Sequence, residues 1–345
     1  MSELRLGRRE FLKAGGVSAI GASMGLPEGA SGGTARAEGA EQADASGNMP
    51  AHEKGFSQLA LITSYSPQKL AFAASAGYQG VVIKVGRSFN PRLSDSEIDS
   101  ILSTSRQTGA RIISIECMAP NHIDPDPARR RAANESFIRD LEFSHRLGCK
   151  FTGTFSGGIP GASMEDQAKA LAEVVNEKYI PICEKLGMGM GWENYPTATN
   201  FATVPAAWSA VFSQVPSKLL GLEFDPSHLV RQFIDPYQAA WDFRDRILAV
   251  HAKDTEITEP ILQQVGIHGQ GWWRYRIPGQ GRIDWPRFIT ALLQVKFSGG
   301  MAVEHEDQFW DEPPSNNAAE FPQARKDGFI LAQRYLSMFL PGRLS

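Results

Sequence analysis

Eight short β-rich runs, each followed by a longer stretch that is apolar on one face, constrain this chain more than any other feature. The runs are LALIT at 59–63, GVVIKV at 80–85, RIISIEC at 111–117, KFTGTF at 150–155, MGMGWEN at 188–194, LLGLEFD at 219–225, ILAVHAKD at 247–254 and GGMAVEHED at 299–307. They are mostly apolar, as strands covered on both faces are. Helical periodicity fills the gaps over Asp95–Thr108, Ala128–Leu147, Met164–Leu186 and Asp284–Val295, with Gly109, Gly148 and Gly187 at the C-terminal stops. Eight strand-then-helix units over roughly 290 residues predict a single α/β domain, a (β/α)₈ barrel, in preference to a doubly wound sheet. The barrel is expected over 57–345 with no internal linker. The longest irregular segment, Thr255 to Arg282, follows the seventh run, and a loop of that length inside a compact domain is usually functional.

Composition agrees with one large core. Of 345 residues 42% are hydrophobic, with 19 Phe, 7 Trp and 7 Tyr, which excludes global disorder. A net charge of −3 lacks the basic excess that holds nucleic acid, so no nucleic-acid partner is expected. No run approaches ~18 consecutive apolar residues, so no membrane anchor is expected in the mature form. Cys117, Cys149 and Cys183 are odd in number and set among apolar neighbours, which reads as buried free thiols.

The N-terminal segment has a different composition. Arg8-Arg9-Glu10-Phe11-Leu12-Lys13 precedes a weakly apolar run, Ala14 to Leu26, and then Ala35-Arg36-Ala37. Basic, apolar, then small-x-small is the layout of an export signal, and the string resembles a twin-arginine address, although Gly7 stands where Ser or Thr is usual. Residues 1–37 are therefore expected to be a signal peptide and 38–56 a flexible linker. Its removal takes five basic and three acidic groups, leaving 30 against 35 and a net charge of −5. The expected partner is the twin-arginine export machinery, and the expected location is the periplasm or otherwise outside the cytoplasm by that route.

In a (β/α)₈ barrel the chemistry gathers at the C-terminal strand ends. The polar residues closing the runs are Glu116, Glu193, Asp225, His251 and Glu304. The last four close consecutive strands and can converge on one ion. Three carboxylates and one imidazole make a mostly oxygen site suited to Mn²⁺, Mg²⁺ or Co²⁺. Singly, each has a plainer explanation: a helix cap for Asp225, a core histidine for His251, a solvated acidic turn for Glu304. Four such coincidences on consecutive strands are far less economical than one site. Glu116 reads either as a substrate contact or as a salt-bridge partner. Lys253 and Asp254 read either as partners behind the ligands or as surface charges. Trp272 and Trp273 suit stacking on a sugar ring or packing of the loop, and Arg274 and Arg276 suit gripping hydroxyls or a carboxylate.

The combination of WEN at 192–194, FDPSH at 224–228, HAKD at 251–254 and VEHED at 303–307 resembles the sugar phosphate isomerase/epimerase family of xylose isomerase-like barrels. The resemblance implies one divalent metal held by Glu193, Asp225, His251 and Glu304, with Glu193 and Glu304 also acting as an acid/base pair and His228 touching a substrate hydroxyl. The chain departs from the family on the second strand, where Val82 and Ile83 stand in place of a frequent glutamate, and at Ile257, where some epimerases have arginine. The expected function is a metal-dependent isomerase or epimerase that moves a proton next to the carbonyl of an unphosphorylated sugar or keto-sugar. The alternatives are a β-eliminating lyase acting on 3-keto-glycosides, an endonuclease IV-like phosphodiesterase, and an exported binding protein. A phosphodiesterase of that kind needs more histidines and a basic groove; a pure binder has no use for two opposed glutamates.

Overall fold

The computed structural model describes residues 58–118, 121–311 and 318–340. The expected signal over 1–37 and linker over 38–56 lie outside the described residues. Strands β1 (Gln58–Thr63), β2 (Gly80–Lys84), β3 (Arg111–Cys117), β4 (Phe151–Thr154), β5 (Gly189–Glu193), β6 (Leu220–Phe224), β7 (Ile247–Ala252) and β10 (Gly300–Val303) form the main sheet. They close in that order into a barrel with every neighbouring pair parallel, as the alternation predicts.

The connecting helices are α1 (Pro67–Ser75), α2 (Asp95–Thr108), α3 (Pro127–Arg146), α4 (Met164–Val174), α5 (Ile180–Leu186), α6 (Pro205–Phe212), α7 (Pro226–Val230), α8 (Pro236–Asp242), α9 (Glu259–Val265), α10 (Trp285–Gln294) and α11 (Gln323–Ser337). Helix α2 has the expected bounds because both ends are coded. Ser94 and Glu97 form a capping box, and Gly109 at φ 80° takes the left-handed C-cap. The helix expected over 164–186 is instead α4 and α5 joined by a π-helical turn, Val175–Tyr179. Pro181 brings no N–H to the carbonyl of Glu177, and the widened turn absorbs the missing bond.

Strand parity sorts the interior. Outward residues such as Leu59, Leu61, Val81, Ile83, Leu222 and Val303 join the main core under the helices. Inward residues Ala60, Ile62, Val82 and Ala302 form a small separate cluster within the barrel, with Ile113 against it. Farther along the same inward rows stand Lys84, Glu223, His251 and Glu304. Glycine is needed opposite Glu223, since a Cβ on Gly153 would collide with that carboxylate. The three cysteines are buried and free, as expected. No described helix is long and apolar enough to cross a membrane.

The segment expected to be irregular after the seventh run is ordered. Strand β7 stops at Ala252, and Asp254 opens a separate strand β8 (Asp254–Ile257), which pairs antiparallel with β9 (Trp273–Arg276) across α9. Alternating Thr255, Ile257, Trp273 and Tyr275 supply the β-branched and aromatic residues that such a pair favours.

Candidate active site

Glu193 ends β5, Asp225 follows β6, His251 lies on β7 and Glu304 follows β10, so four adjacent strands deliver their polar termini to one point. One ligand atom from each lies within 4.8 Å of the others, and all four residues are buried. Oxygen and nitrogen atoms gathered around a central ion at about 2.0–2.6 Å have such a spread. Asp225 reconciles capping with site geometry. Its Oδ1 accepts from the Ser227 N–H at 2.8 Å and caps α7, while Oδ2 lies 3.1 Å from Lys253 Nζ and 3.2 Å from His228 Nε2.

A second layer lies beneath. His251 Nδ1 is 3.2 Å from Glu193 and 3.4 Å from Glu304, whereas Nε2 is 3.1 Å from Glu223 and 3.3 Å from Glu116. An Nε2–H directed at those lower carboxylates leaves the Nδ1 lone pair facing the four-residue cluster. Glu116 is thus an interior carboxylate against His251, with Lys84 Nζ at 3.7 Å, which agrees with the salt-bridge alternative.

The remaining cations are held by the same carboxylates. Lys253 Nζ stands 2.6 Å from Glu304 Oε2 and 3.1 Å from Glu306 Oε2, so it is buried among the four-residue cluster and is not a surface charge. Lys84 Nζ donates to Glu304 Oε1 at 2.9 Å. Its position on β2 supplies a cation where the family resemblance leads one to look for a glutamate. Burial opposes ionisation of Glu304, and Lys253 and Lys84 overcome it, holding the carboxyl well below its ordinary range. Burial and Glu304 push Glu193 up, but His251 and hydrogen bonds from His228 and His251 outweigh them and hold it low. Burial raises Glu223 to about 7.

His228 is wholly buried. Its Nε2 lies 2.9 Å from Glu193 Oε1 and its Nδ1 2.8 Å from Tyr275 Oη, which in turn accepts from Arg231 Nη1 at 2.6 Å. The donors run Arg231 to Tyr275 to His228 to Glu193, so β9 reaches the site through Tyr275. The other residues singled out on the hairpin do not join the cluster. Trp272 is buried and stacks on Phe233 at 5.7 Å, and Arg231 covers the Trp273 ring at 4.0 Å. Arg274 and Arg276 both donate to Glu256, and Arg276 also to Asp307 at 2.8 Å. Asp254, expected either behind the ligands or at the surface, does neither. Its carboxylate accepts from the N–H groups of Thr255, Gly279 and Ile283 and from Trp285 Nε1, which ties the end of the hairpin to the barrel.

The donor set fits a hard divalent cation. Both oxygens of Glu116, Glu223 Oε2, Asp225 Oδ2 and His251 Nε2 are buried without a well-formed hydrogen bond among the described residues. Five clustered carboxylates, Glu116, Glu193, Glu223, Asp225 and Glu304, face the ammonium groups of Lys84 and Lys253 and the imidazole rings of His228 and His251. Added positive charge relieves that imbalance.

A family model described as xylose isomerase-like TIM barrel matches residues 70–325. The chain belongs to that family. Among curated proteins, inosose dehydratase of Geobacillus kaustophilus (strain HTA426) is 23% identical over 198 residues, which are 52% of this chain and 64% of that relative's length. Among solved structures, D-psicose 3-epimerase in the presence of D-fructose aligns with a TM-score of 0.64 at 15% identity, covering 83% of this chain and 100% of the other. D-Allulose 3-epimerase from Methylomonas sp. aligns with a TM-score of 0.63 at 14% identity, covering 83% and 99%. At those identities the two structures establish the shared barrel.

Proposed function

We propose that this barrel is a metal-dependent sugar isomerase or epimerase that moves a proton next to a carbonyl. The observation that carries the reading is the pair Glu193 and Glu304, buried on either side of the His251 Nδ1 edge and within one four-residue cluster. Glu193, Asp225, His251 and Glu304 would hold the divalent ion. Such an ion supplies electrophilic assistance to a ketone oxygen, without which a carboxylate is too weak a base for the neighbouring C–H. Either glutamate, both being held ionised, can remove the proton from that carbon and, as the carboxylic acid so formed, return it to the adjacent carbon; epimerisation requires the opposite glutamate to take up a proton from solvent and deliver it to the other face. The His228 ring, fixed by Tyr275 and Arg231, steadies Glu193 at Oε1. Lys253 and Lys84 keep Glu304 ionised and ready to accept. The sugar names borne by the structural neighbours agree with a ketose, and an N-terminal export signal, as the Arg8-Arg9 string leads one to expect, would favour one without phosphate.

A second reading, β-elimination from a keto-sugar, is favoured by the curated dehydratase relative. The first step is shared: the proton leaves the same carbon, and a leaving group one carbon farther departs instead of a proton returning. One experiment addresses both. Protein stripped with chelator and reloaded with Mn²⁺, Mg²⁺ or Co²⁺ is incubated with ketoses and keto-glycosides in D₂O and followed by NMR. Deuterium beside the carbonyl with a new epimer supports the epimerase, and an unsaturated sugar supports the lyase. Conversion that is undiminished in both Glu193→Gln and Glu304→Gln would overturn the mechanism.

A further inference from the structure

Beside Glu304 and Lys84 the barrel mouth opens into a cavity of about 530 Å³ whose wall also includes Lys69, Phe321 and Arg325 and the carboxylates of Glu306, Asp307 and Asp311, which face Lys253, Arg276 and Arg325 in turn. Lys69 lies in the first turn of α1 and is 2% exposed. Its Nζ donates to Ser64 Oγ at 2.7 Å and stands 5.2 Å over the Phe321 ring. No carboxylate pairs with it among the described residues, and two of its three N–H donors have no protein acceptor there. Arg325, the cation next to it, is occupied by Asp311 and the His305 carbonyl. Lys84, Lys253 and Arg276, by contrast, each have a carboxylate within 3 Å. Burial and Arg325 lower the Lys69 pKa to about 8, which leaves it mostly protonated at neutral pH. A buried cation without a counter-charge is costly, and a ligand that brings the anion removes that cost.

We propose that Lys69 is the subsite for an oxyanion carried by the substrate, so that the sugar handled at Glu193 and Glu304 is an acidic keto-sugar. This rests on the sugar reading above and deepens it. Glu304 and Lys69 line the same cavity, whose volume suits a hexose-sized ligand. A ligand placing its reacting carbon at Glu304 can therefore place a carboxylate or a phosphate ester at the ammonium. Its oxygens accept the two N–H donors that the described residues leave unfilled, as charge-assisted hydrogen bonds.

The test is calorimetric binding of fructose, fructuronate and fructose 6-phosphate to Mn²⁺-loaded wild type, Lys69→Met and Lys69→Gln. An acidic probe is expected to bind wild type at least about tenfold more tightly than fructose, as one charge-assisted contact supplies. Lys69→Met should erase that preference and leave fructose binding unchanged; in turnover the loss should appear in KM, with kcat nearly constant. A preference for fructuronate identifies a carboxylate, and one for fructose 6-phosphate a phosphate; either supports the subsite, and the second overturns the reading of a sugar without phosphate. Equal affinities for all three in wild type, or a preference retained in both variants, would overturn it while leaving the sugar reading intact. Binding of no sugar at all would overturn both. Methionine keeps the length of the chain and deletes a buried charge, so the variant should fold; glutamine is the second variant if it does not.

Discussion

Asp225 and His251 each turn two polar atoms to two different tasks, and the site depends on that division. Oδ1 of Asp225 caps α7 while Oδ2 faces Lys253 and His228. Nδ1 of His251 faces Glu193 and Glu304 while Nε2 faces Glu223 and Glu116. Glu223 therefore orients a ring whose other nitrogen belongs to the candidate ion site. Glu223→Gln keeps shape and an acceptor but removes the charge, and should weaken Mn²⁺ binding by about 10–100-fold without unfolding the chain. Titration calorimetry measures this, and an unchanged affinity would detach Glu223 from the site. Glu193→Gln and Glu304→Gln should each lower turnover by about 10²–10⁴-fold, read in the deuterium-exchange assay. The four upper residues were legible in the sequence because each closes an apolar run. Glu223 was not, because it lies inside LLGLEF and reads as one interruption of a hydrophobic strand; its signal was the period-2 row it shares with Asp225. Lys84 was hidden in the same way within GVVIKV, although it shares a row with Val82.

Among the elements, the hairpin of β8 and β9 shows where legibility ended. Eight barrel strands announced themselves by apolar runs, and α2 by its capping box, since those signals are local. The hairpin is built from WRYR and DTEI, whose polar residues satisfy one another across the pair: Glu256 takes both Arg274 and Arg276, and Asp307 takes Arg276 from outside. Such pairing depends on register, which composition does not reveal. Residues suited to gripping a ligand are thus engaged with carboxylates, and Tyr275 alone of the WRYR segment touches a member of the cluster, through His228. Asp254 secures the hairpin to the barrel by four acceptances, three of them buried. Asp254→Ala leaves those N–H groups unsatisfied and should cost about 3 kcal/mol or more in denaturant unfolding. A loss under about 1 kcal/mol would mean that water or a shifted loop replaces the carboxylate. Because the hairpin carries Tyr275, the same variant should also lower turnover.

For the whole molecule, the two open questions are where the chain goes and what its charge needs. Arg8 and Arg9 precede the weakly apolar run Ala14 to Leu26, and Ala35-Arg36-Ala37 follows it. Replacing both arginines with lysine should leave the precursor in the cytoplasm, seen by cell fractionation, with the mature start near Glu38 lost; normal export after that change would refute the address. The charge question turns on energetics. A barrel whose interior gathers Glu116, Glu193, Glu223, Asp225 and Glu304 around two lysines and two histidines carries repulsion that its own cations only partly offset. An ion that binds this folded arrangement and not the unfolded chain stabilises it by mass action, about 2.7 kcal/mol at a hundredfold excess over Kd. For a domain of this size that corresponds to a melting rise of roughly 4–5 °C. Chelated protein should therefore melt lower than protein with Mn²⁺ restored. A general effect of divalent cations on an acidic surface would give a similar rise in any variant, so Asp225→Ala supplies the contrast. It removes one ligand oxygen and the cap of α7 together, lowering the starting temperature, but its melting point should no longer respond to Mn²⁺. Elemental analysis should find no bound metal in that variant. A melting rise in Asp225→Ala equal to that of wild type would place the stabilising ion elsewhere and take the central support from the proposed chemistry.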